Sequence, residues 1–528
     1  MEMNELREKE ITERYHTGVL LARLMAASGL SDSQIEELMD PDTHLSDSDA
    51  PCIRACCDRI LQAAQNKEKV FIGGDYDADG ICSTAIMKKT LDLLGIVSGY
   101  YIPDRFREGY GLSEKTVRLA HEKGYSLIIT VDNGIKAYEA VSCAKQLGMD
   151  VIITDHHRID VLPEADLIVH PDYMEEQFAY LSGAGVALEI SRKLIGNDDS
   201  LTALAAVAAI GDVMPLWRET RKIVLNGLDS MKRGVPAPLC ALLYTPGKAD
   251  WTSVAFQIVP KLNSVGRMND LSNVNTVVRY LLLNDRDEIS RFASQLEHVN
   301  TVRKQLSASM TKEAEKMVTG EPFEIIFKDT FHEGICGLAA GRLASSLHKP
   351  VLIMAEAEGM IKGSGRSIPG FDMFAFFSDF EELQAFGGHE QAVGLSVRRE
   401  DLASFIEHAQ RKFSETVIEE IPDTQRLVPL RADEITFENI SSLEQIALYP
   451  KEMNDILFEL KDPVILSRYD TAKVTKLVIE ADEDTADVVI YASKGIRVPE
   501  DPRRICGRLS INRWRQSVRC QIDAESVE

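Results

Sequence analysis

The stretch "VFIGGDYDADGICSTAIMKK", Val70–Lys89, passes from a short apolar run into three aspartates at alternate positions, Asp75, Asp77 and Asp79, and then at once into a glycine. An apolar run that stops at polar residues and gives way to a helical pattern reads as a buried strand followed by its crossover helix. The turn into such a helix needs at most one acidic or hydroxyl residue as a cap. Three carboxylates that repel one another therefore call for something positive between them, and the rest of the chain must supply its other partners.

The same rhythm recurs downstream. "YSLIITVDNGI" ends in Asp132, "DVIITDHH" ends in Asp155, His156 and His157, and "LAAVAAIGDVMPL" delivers Asp212. Apolar runs alternating with helical patterns are the βαβ signature of a parallel sheet. In an open α/β sheet, residues just beyond the carboxyl ends of the strands share one crevice. Carboxylates with one or two imidazoles at such a spot describe a two-metal hydrolytic site, with ions about 3.5 to 4 Å apart. Oxygen ligands alone would suit Mg²⁺; an imidazole in the set shifts the preference toward Mn²⁺, with Mg²⁺ as a substitute. Any one of these aspartates could simply cap a helix, but four strand-end signatures in one sheet favour the metal.

The whole chain of 528 residues suggests three or four domains, and 45% hydrophobic with 27% charged residues is the composition of a globular protein. The run "LTALAAVAAI" stops at Gly211-Asp212, short of the ~20 residues a membrane span requires. The charged start "MEMNELREKE" is unlike a signal peptide. Nine cysteines without a CxxC pair point to reduced thiols and a cytoplasmic setting. A formal net charge of −24 opposes indiscriminate polyanion binding, so any nucleic acid must be met by local basic surfaces.

In order along the chain, "DYDADG", "VDNGI", "TDHH" and "GDVMPL" resemble the four motifs of the DHH phosphoesterase superfamily. The resemblance implies that Asp75, Asp77, Asp79, Asp132, His156 and Asp212 are metal ligands, with Asp132 the bridge between two divalent ions. It makes His157 a contact to the scissile phosphate or a proton donor to the leaving oxygen. No member of this core set is missing. "YIPDRFREGYGL", "LSGAGVALEI", "VPKLNSVGRM", "FHEGICGLAAGRLASSLHKPVLIM", "GSGRSIPGFDMF" and "FGGHEQAVGLSV" are similar to segments of the RecJ branch, up to about residue 400. That branch implies a 5′-to-3′ exonuclease of DNA repair and recombination, which degrades single-stranded DNA to 5′-mononucleotides. It also implies a single-strand-binding protein or helicase that supplies the strand, no membrane, and a monomer.

Arg267 in "VGRM" and Arg366 in "GSGRS" can each offer a planar donor fork to phosphate oxygens. Ser364 and Ser367 flank the second of these. Gly387, Gly388 and His389 resemble the GGH signature of a DHHA1 domain, which in the family holds phosphate. Arg105 is either a backbone contact or the partner of Glu108.

The expected architecture is α/β: a parallel-sheet DHH domain and an α/β DHHA1-like domain joined by a long helix, then a small OB-like β domain. The expected boundaries are an N-terminal helical segment over 1–62, the DHH domain over 63–220 and a helical connector over 221–318. The DHHA1-like domain follows over 319–424 and the OB-like domain over 425–528. The stretch from Asp285 to Val318 has helical spacing with no internal Gly or Pro and supplies the bridging helix.

In the last domain "ALYPKEMNDILFEL" departs from the loop pattern of the family. There Arg504, Arg508, Arg513 and Arg515 surround Trp514. Basic residues around an aromatic suit single-strand binding; the alternative is a core tryptophan with a solvated arginine face. Two other readings differ in kind from the exonuclease. One is a DHH phosphodiesterase for short oligoribonucleotides or cyclic dinucleotides, against which the extra domain counts. The other is a non-catalytic replication or repair scaffold, against which the intact aspartates count.

Overall fold

The computed structural model describes residues 2–104, 108–109, 111–418, 426–446, 448–482, 484–514 and 517–528. The strands β1 (Val70–Gly73), β2 (Ser98–Tyr101), β3 (Leu127–Val131), β4 (Asp150–Thr154) and β5 (Leu167–Val169) form one sheet in the order β2-β1-β3-β4-β5. Every pair in it is parallel. Its central strands are buried along their length, which is why they read as unbroken apolar runs. The chain leaves β1 for β2 on one side and returns for β3 on the other, so the topological switch lies between β1 and β3. A crevice opens at such a point.

The second sheet is mixed. It contains β6 (Glu324–Phe327), β7 (Val351–Ala357), β8 (Met360–Arg366), β9 (Leu383–His389) and β10 (Ala392–Arg398), in the order β6-β7-β8-β10-β9. Between the sheets runs the helix Arg286–Glu315, 30 residues long and capped by Asp285. It packs on the helix Val259–Arg267 on one side and the helix Glu333–Leu347 on the other. One continuous apolar core therefore spans the first sheet, the connector helices and the inner strands of the second sheet. The opposite face of the second sheet carries its own phenylalanine-rich core, including Phe323, Phe371, Phe377 and Phe405.

The third sheet has seven strands: β11 (Arg426–Leu430), β12 (Ile456–Lys461), β13 (Ile465–Asp470), β14 (Val474–Ala481), β15 (Asp484–Tyr491), β16 (Arg504–Trp514) and β17 (Ser517–Val527). They lie in the order β11-β12-β16-β17-β15-β14-β13. Its apolar face is covered largely by the opposite end of the chain. Leu20, Leu21 and Met25 of the helix Val19–Ser28 share a core with Ile456, Ile479, Val488 and Ile522. Arg23 fastens the arrangement, reaching Glu434 at 2.7 Å, the Pro429 carbonyl at 2.8 Å and Glu8 at 3.1 Å. The helices Glu2–Tyr15, Val19–Ser28 and Asp32–Met39 thus belong with the third sheet, whereas the helix Pro51–Asn66 packs into the core of the first. No helix among the described residues is long and apolar enough to cross a membrane.

Candidate metal centre and phosphate contacts

The three aspartates after β1 have three different local roles. Asp77 is the cap of the helix Ala78–Leu93; its Oδ1 accepts the Asp79 and Gly80 amides at 3.0 and 3.1 Å. Asp75 is buried behind it, and a Cβ on Gly80 would fall 2.5 Å from the Asp75 Cβ, which explains the glycine that follows the third aspartate. Asp79 is held by the start of the helix Gly183–Ile195. Ser182 Oγ and the Ala184 amide donate to its Oδ1 at 3.0 and 2.7 Å, and the Gly183 amide donates to Oδ2 at 2.8 Å. A carboxylate offers about four acceptor sites, so Asp79 keeps capacity for a further partner. The segment "LSGAGVALEI" therefore acts on this site, a role its sequence alone did not reveal.

Asp132 follows β3 with φ +61°, in the left-handed region that aspartate tolerates better than most residues. Its neighbour Gly183 has no room for a side chain, since a Cβ there would lie 2.5 Å from the Asp132 Cβ. His156 comes in from the end of β4, its Nε2 3.2 Å from Asp132 Oδ1, 3.5 Å from Asp79 Oδ2 and 3.7 Å from Asp212 Oδ2. Asp212 closes the helix Asp199–Gly211 at its C-terminal end, so the fourth apolar run is not the strand expected: it is rich in alanine, a strong helix former, and is buried as a helix from Leu201 to Ile210.

The structure thus brings together all six side chains expected to bind metal. With His157 they form three overlapping groups, Asp75 with Asp77 and Asp132, Asp79 with His156 and Asp212, and Asp132 with His156 and His157, the donor atoms of each lying within 4.8 Å of one another. Burial, and then repulsion from Asp79, Asp77 and Asp75, pushes the Asp132 carboxyl well above its ordinary range. Burial followed by Asp79 and Asp77 raises Asp212 to about 7. Asp77 moves up for the same two kinds of reason. Carboxylates buried and repelling one another in this way are relieved by a bound cation, and hard oxygen donors with one imidazole fit divalent metals.

His157 reaches the same cluster, beside Asp132 and His156, but is also held by a carboxylate of its own. Its Nδ1 lies 2.8 Å from Asp155 Oδ1, which also accepts the backbone amides of His156 and His157, while Asp155 Oδ2 accepts the Ile135 amide. Burial lowers the imidazole's proton affinity, but the hydrogen bond and charge of Asp155 more than reverse this and raise it to about 9. Burial likewise lifts the Asp155 carboxyl, and His157 pulls it down to about 2. Asp155 therefore fixes the tautomer and direction of His157, a positioning role that its place in "TDHH" does not by itself disclose.

A line of close contacts runs from this crevice to the second sheet. A Cβ on Gly266 would lie 2.7 Å from the Tyr76 carbonyl, and one on Gly334 only 2.0 Å from the Arg267 carbonyl. On the same helix as Gly334, a Cβ on Gly337 would meet Arg366 Nη2 at 3.0 Å and the Ser364 Cβ at 3.5 Å. Arg267, Arg366 and Ser364 are thereby placed along one path that starts at the metal motif.

Ser367 turns inward, its hydroxyl donating to the Phe371 carbonyl at 2.5 Å. Gly387, Gly388 and His389 lie on the exposed β9–β10 hairpin, where Gly388 has φ +140°. Exposure excludes a core role for His389. Among the described residues it makes no hydrogen bond or ion pair with the metal cluster. Arg105 and Arg515 fall outside the described residues.

In the third sheet the arginines are matched to acids. Arg504 reaches Glu459 at 2.6 Å and Glu528 at 3.0 Å, and Arg513 grips Glu444 through both terminal nitrogens at 2.6 and 2.7 Å. Arg508 lies 3.9 Å from Glu525, Arg503 lies 2.7 Å from Asp501 and Arg519 lies 3.3 Å from Asp487. The dense arginine cluster in the sequence is thus largely neutralised in the fold.

Comparison with known proteins gives two family matches: the DHH family N-terminal domain over residues 69–211 and the DHHA1 domain over residues 320–415. The single-stranded-DNA-specific exonuclease RecJ of Bacillus subtilis (strain 168) is 33% identical, the alignment covering 97% of this chain and 68% of that protein. The same enzyme from Haemophilus influenzae is 34% identical, over 68% of each chain. Among solved structures, RecJ from Thermus thermophilus in complex with Mn²⁺ superposes with a TM-score of 0.85 at 23% identity, over 99% of this chain and 78% of that one.

Proposed function

The chain belongs to the RecJ family of single-stranded-DNA-specific exonucleases, and from that premise we propose that it hydrolyses single-stranded DNA from the 5′ end with divalent metal, releasing 5′-mononucleotides. The observation that carries this reading is the meeting of five aspartates and His156 in one crevice at the switch point of a parallel sheet. Asp75, Asp77 and Asp132 would hold one ion and Asp79, His156 and Asp212 the other, with Asp132 also beside His156 and so shared between the two. Bound there, the ions would offset the negative charge that develops on the phosphoryl oxygens and would acidify the attacking water.

The protein's own groups do the rest. Ser182 and two backbone amides hold Asp79 in its direction. Asp155 turns the His157 ring so that Nε2 is the nitrogen through which it would give a hydrogen bond or a proton to the phosphate side. Arg267 and Arg366 would grip phosphates along the path of close contacts, and a strand threading there excludes a duplex by width. A single-strand-binding protein or helicase as supplier of the strand, action as a monomer and a cytoplasmic setting complete the proposal.

A phosphodiesterase for dinucleotides would need only the first two sheets, and a third sheet with its own core favours a longer substrate. The deciding experiment uses end-labelled single strands of DNA and RNA, blocked at one end or the other, with Mn²⁺ or Mg²⁺. Stepwise release from an open 5′ end of DNA is the expected result. Digestion from the 3′ end, or preference for RNA, would overturn the polarity or the substrate.

A further inference from the structure

The N-terminus of a helix carries partial positive charge, which is the wrong sign to point at a cation site. The helix Ala78–Leu93 begins inside the metal motif, so each amide of its first turn needs an acceptor. Asp77 Oδ1 takes the Asp79 and Gly80 amides, and the Asp77 carbonyl takes the Ile81 amide at 2.9 Å. The remaining amide is that of Ala78, the residue between the two ligand-bearing aspartates Asp77 and Asp79. It donates at 2.7 Å to Asn263 Oδ1, which comes from a helix 185 residues away in sequence.

That helix, Val259–Arg267, lies against the metal loops along one stripe. Val259 meets the end of the helix that bears Asp212, since a Cβ on Gly211 would lie 3.3 Å from Val259 Cγ2 and 3.2 Å from the Ala78 Cβ. Asn263 holds the Ala78 amide. Gly266 lies against the Tyr76 carbonyl. Positions i, i+4 and i+7 fall on one face of a helix, so this is a continuous surface and not three chance contacts. A π-helical turn, Val254–Ile258, precedes the stripe, and such turns re-phase the face that follows.

We propose that Asn263 is a positioning residue for the metal centre. Its amide oxygen fixes the Ala78 peptide and so the relative directions of Asp77 and Asp79, without adding charge of its own. Because Arg267 follows one turn later on the same helix, the element that would grip a phosphate also braces the ligands. This inference rests on the reading of the cluster as a divalent-metal site.

The test is calorimetric titration of Mn²⁺ into EDTA-stripped full-length protein, comparing wild type, Asn263→Leu and Asn263→Asp. Loss of a group that orients a metal ligand costs roughly 10- to 100-fold in affinity, and that is the loss expected for the leucine variant. The aspartate variant keeps an oxygen acceptor in the same place and should bind close to wild type or more tightly. Without metal the leucine variant should melt a few degrees lower, its Ala78 amide left unpaired, and the aspartate variant lower too, since it adds a carboxylate beside the cluster. Strand binding in EDTA by fluorescence anisotropy should match wild type in the leucine variant. Raising Mn²⁺ should return most of the leucine variant's turnover.

Wild type that binds no Mn²⁺ would defeat the metal reading itself. Wild type that binds, with an equal affinity in Asn263→Leu, would defeat only this inference. Equal losses in the leucine and aspartate variants would also overturn it, since the acceptor would then be irrelevant. Asn263→Ala repeats the comparison should the leucine variant fail to fold.

Discussion

Two regions of this molecule concentrate like charge in the sequence, and the fold treats them in opposite ways. At the first sheet's crevice, Asp75, Asp77, Asp79, Asp132 and Asp212 converge, and burial with mutual repulsion raises Asp132, Asp77 and Asp212. In the third sheet, Arg503, Arg504, Arg508, Arg513 and Arg519 each meet a carboxylate. One cluster packs like charges against one another, and the other is balanced by acids on neighbouring elements. Density of charge along a sequence therefore points to a ligand where the fold gathers the like charges into one buried spot, and not where it spreads them over an exposed sheet.

The sharpest way to break this contrast is Asp132→Asn, chosen over alanine because asparagine also accepts the left-handed backbone at that position. Turnover should fall on the order of 10⁴-fold or more, about 5.5 kcal/mol in the barrier. The same change removes a buried charge repelled by its neighbours, so the metal-free variant should melt a few degrees above metal-free wild type. Wild type should gain stability on adding Mn²⁺ by mass action, and the variant should gain much less. A variant that turns over normally, or a wild type whose melting point ignores Mn²⁺, would show that the crevice is not a metal site.

A smaller effect distinguishes ligands from the groups that orient them. His157→Ala should slow hydrolysis by roughly 10²- to 10⁴-fold, the range for a general acid or base. Asp155→Asn should cost about 10- to 100-fold, because it loosens a group it does not replace. Mn²⁺ affinity measured by calorimetry should stay near wild type in both. Loss of an ion in His157→Ala would move that residue into the ligand set.

The aspartates after β1, β3 and β4 were legible because a buried parallel strand writes itself as an apolar run with an abrupt polar end, a signal that is wholly local. The long helix was legible for the same reason. The run before Asp212 reads as such a strand too but is a buried helix, a difference that periodicity alone does not show. What could not be read depends on pairs distant in the chain. Ser182 and Gly183 act on Asp79 across about a hundred residues, and Asn263 acts on Ala78 across 185. The arginines looked unmatched because their acids sit on neighbouring strands and helices: Glu459 on β12, Asp487 on β15, Glu444 beyond the helix Phe437–Leu443. The N-terminal helices gave no sign that their apolar stripe belongs to a sheet about 400 residues on.

That distant packing offers a third comparison, between a balanced ion pair that is buried and one that is exposed. Arg23 and Glu434 are 15% and 9% exposed in their side chains, and truncating one partner strands the other. Arg23→Ala should destabilise the third sheet and its N-terminal helices by about 3 kcal/mol, read from a denaturant melt of the full chain. Burial alone would raise the Glu434 carboxyl, but hydrogen bonds from Arg23 and the Arg431 amide hold it below its ordinary value. A depressed carboxyl stabilises above its unfolded pKa, about 4.3, and that contribution disappears as the pH falls through the folded value. Wild type should therefore lose stability below about pH 4.3 more steeply than Glu434→Gln. Parallel acid profiles would mean that the clamp is held by packing alone.

The smallest effect is expected at Arg513, and it tests the balanced half of the comparison directly. An arginine that contacts a phosphate releases counterions when the strand binds, so removing it lowers the salt slope of affinity by about one. Arg366→Ala should show that change if it grips the backbone. Arg513 is already held by both oxygens of Glu444, and a strand would have to displace that carboxylate to use it. Arg513→Ala should then move the slope by well under one and the affinity for long single strands by less than about twofold. Glu444→Gln supplies the reciprocal measurement. If the pair merely conceals a strand-binding surface, neutralising the glutamate should tighten binding and steepen the salt dependence. If the third sheet meets the strand elsewhere or only braces the fold, neither variant should matter, and the arginine-rich segment that stands out most in the sequence will have been structural.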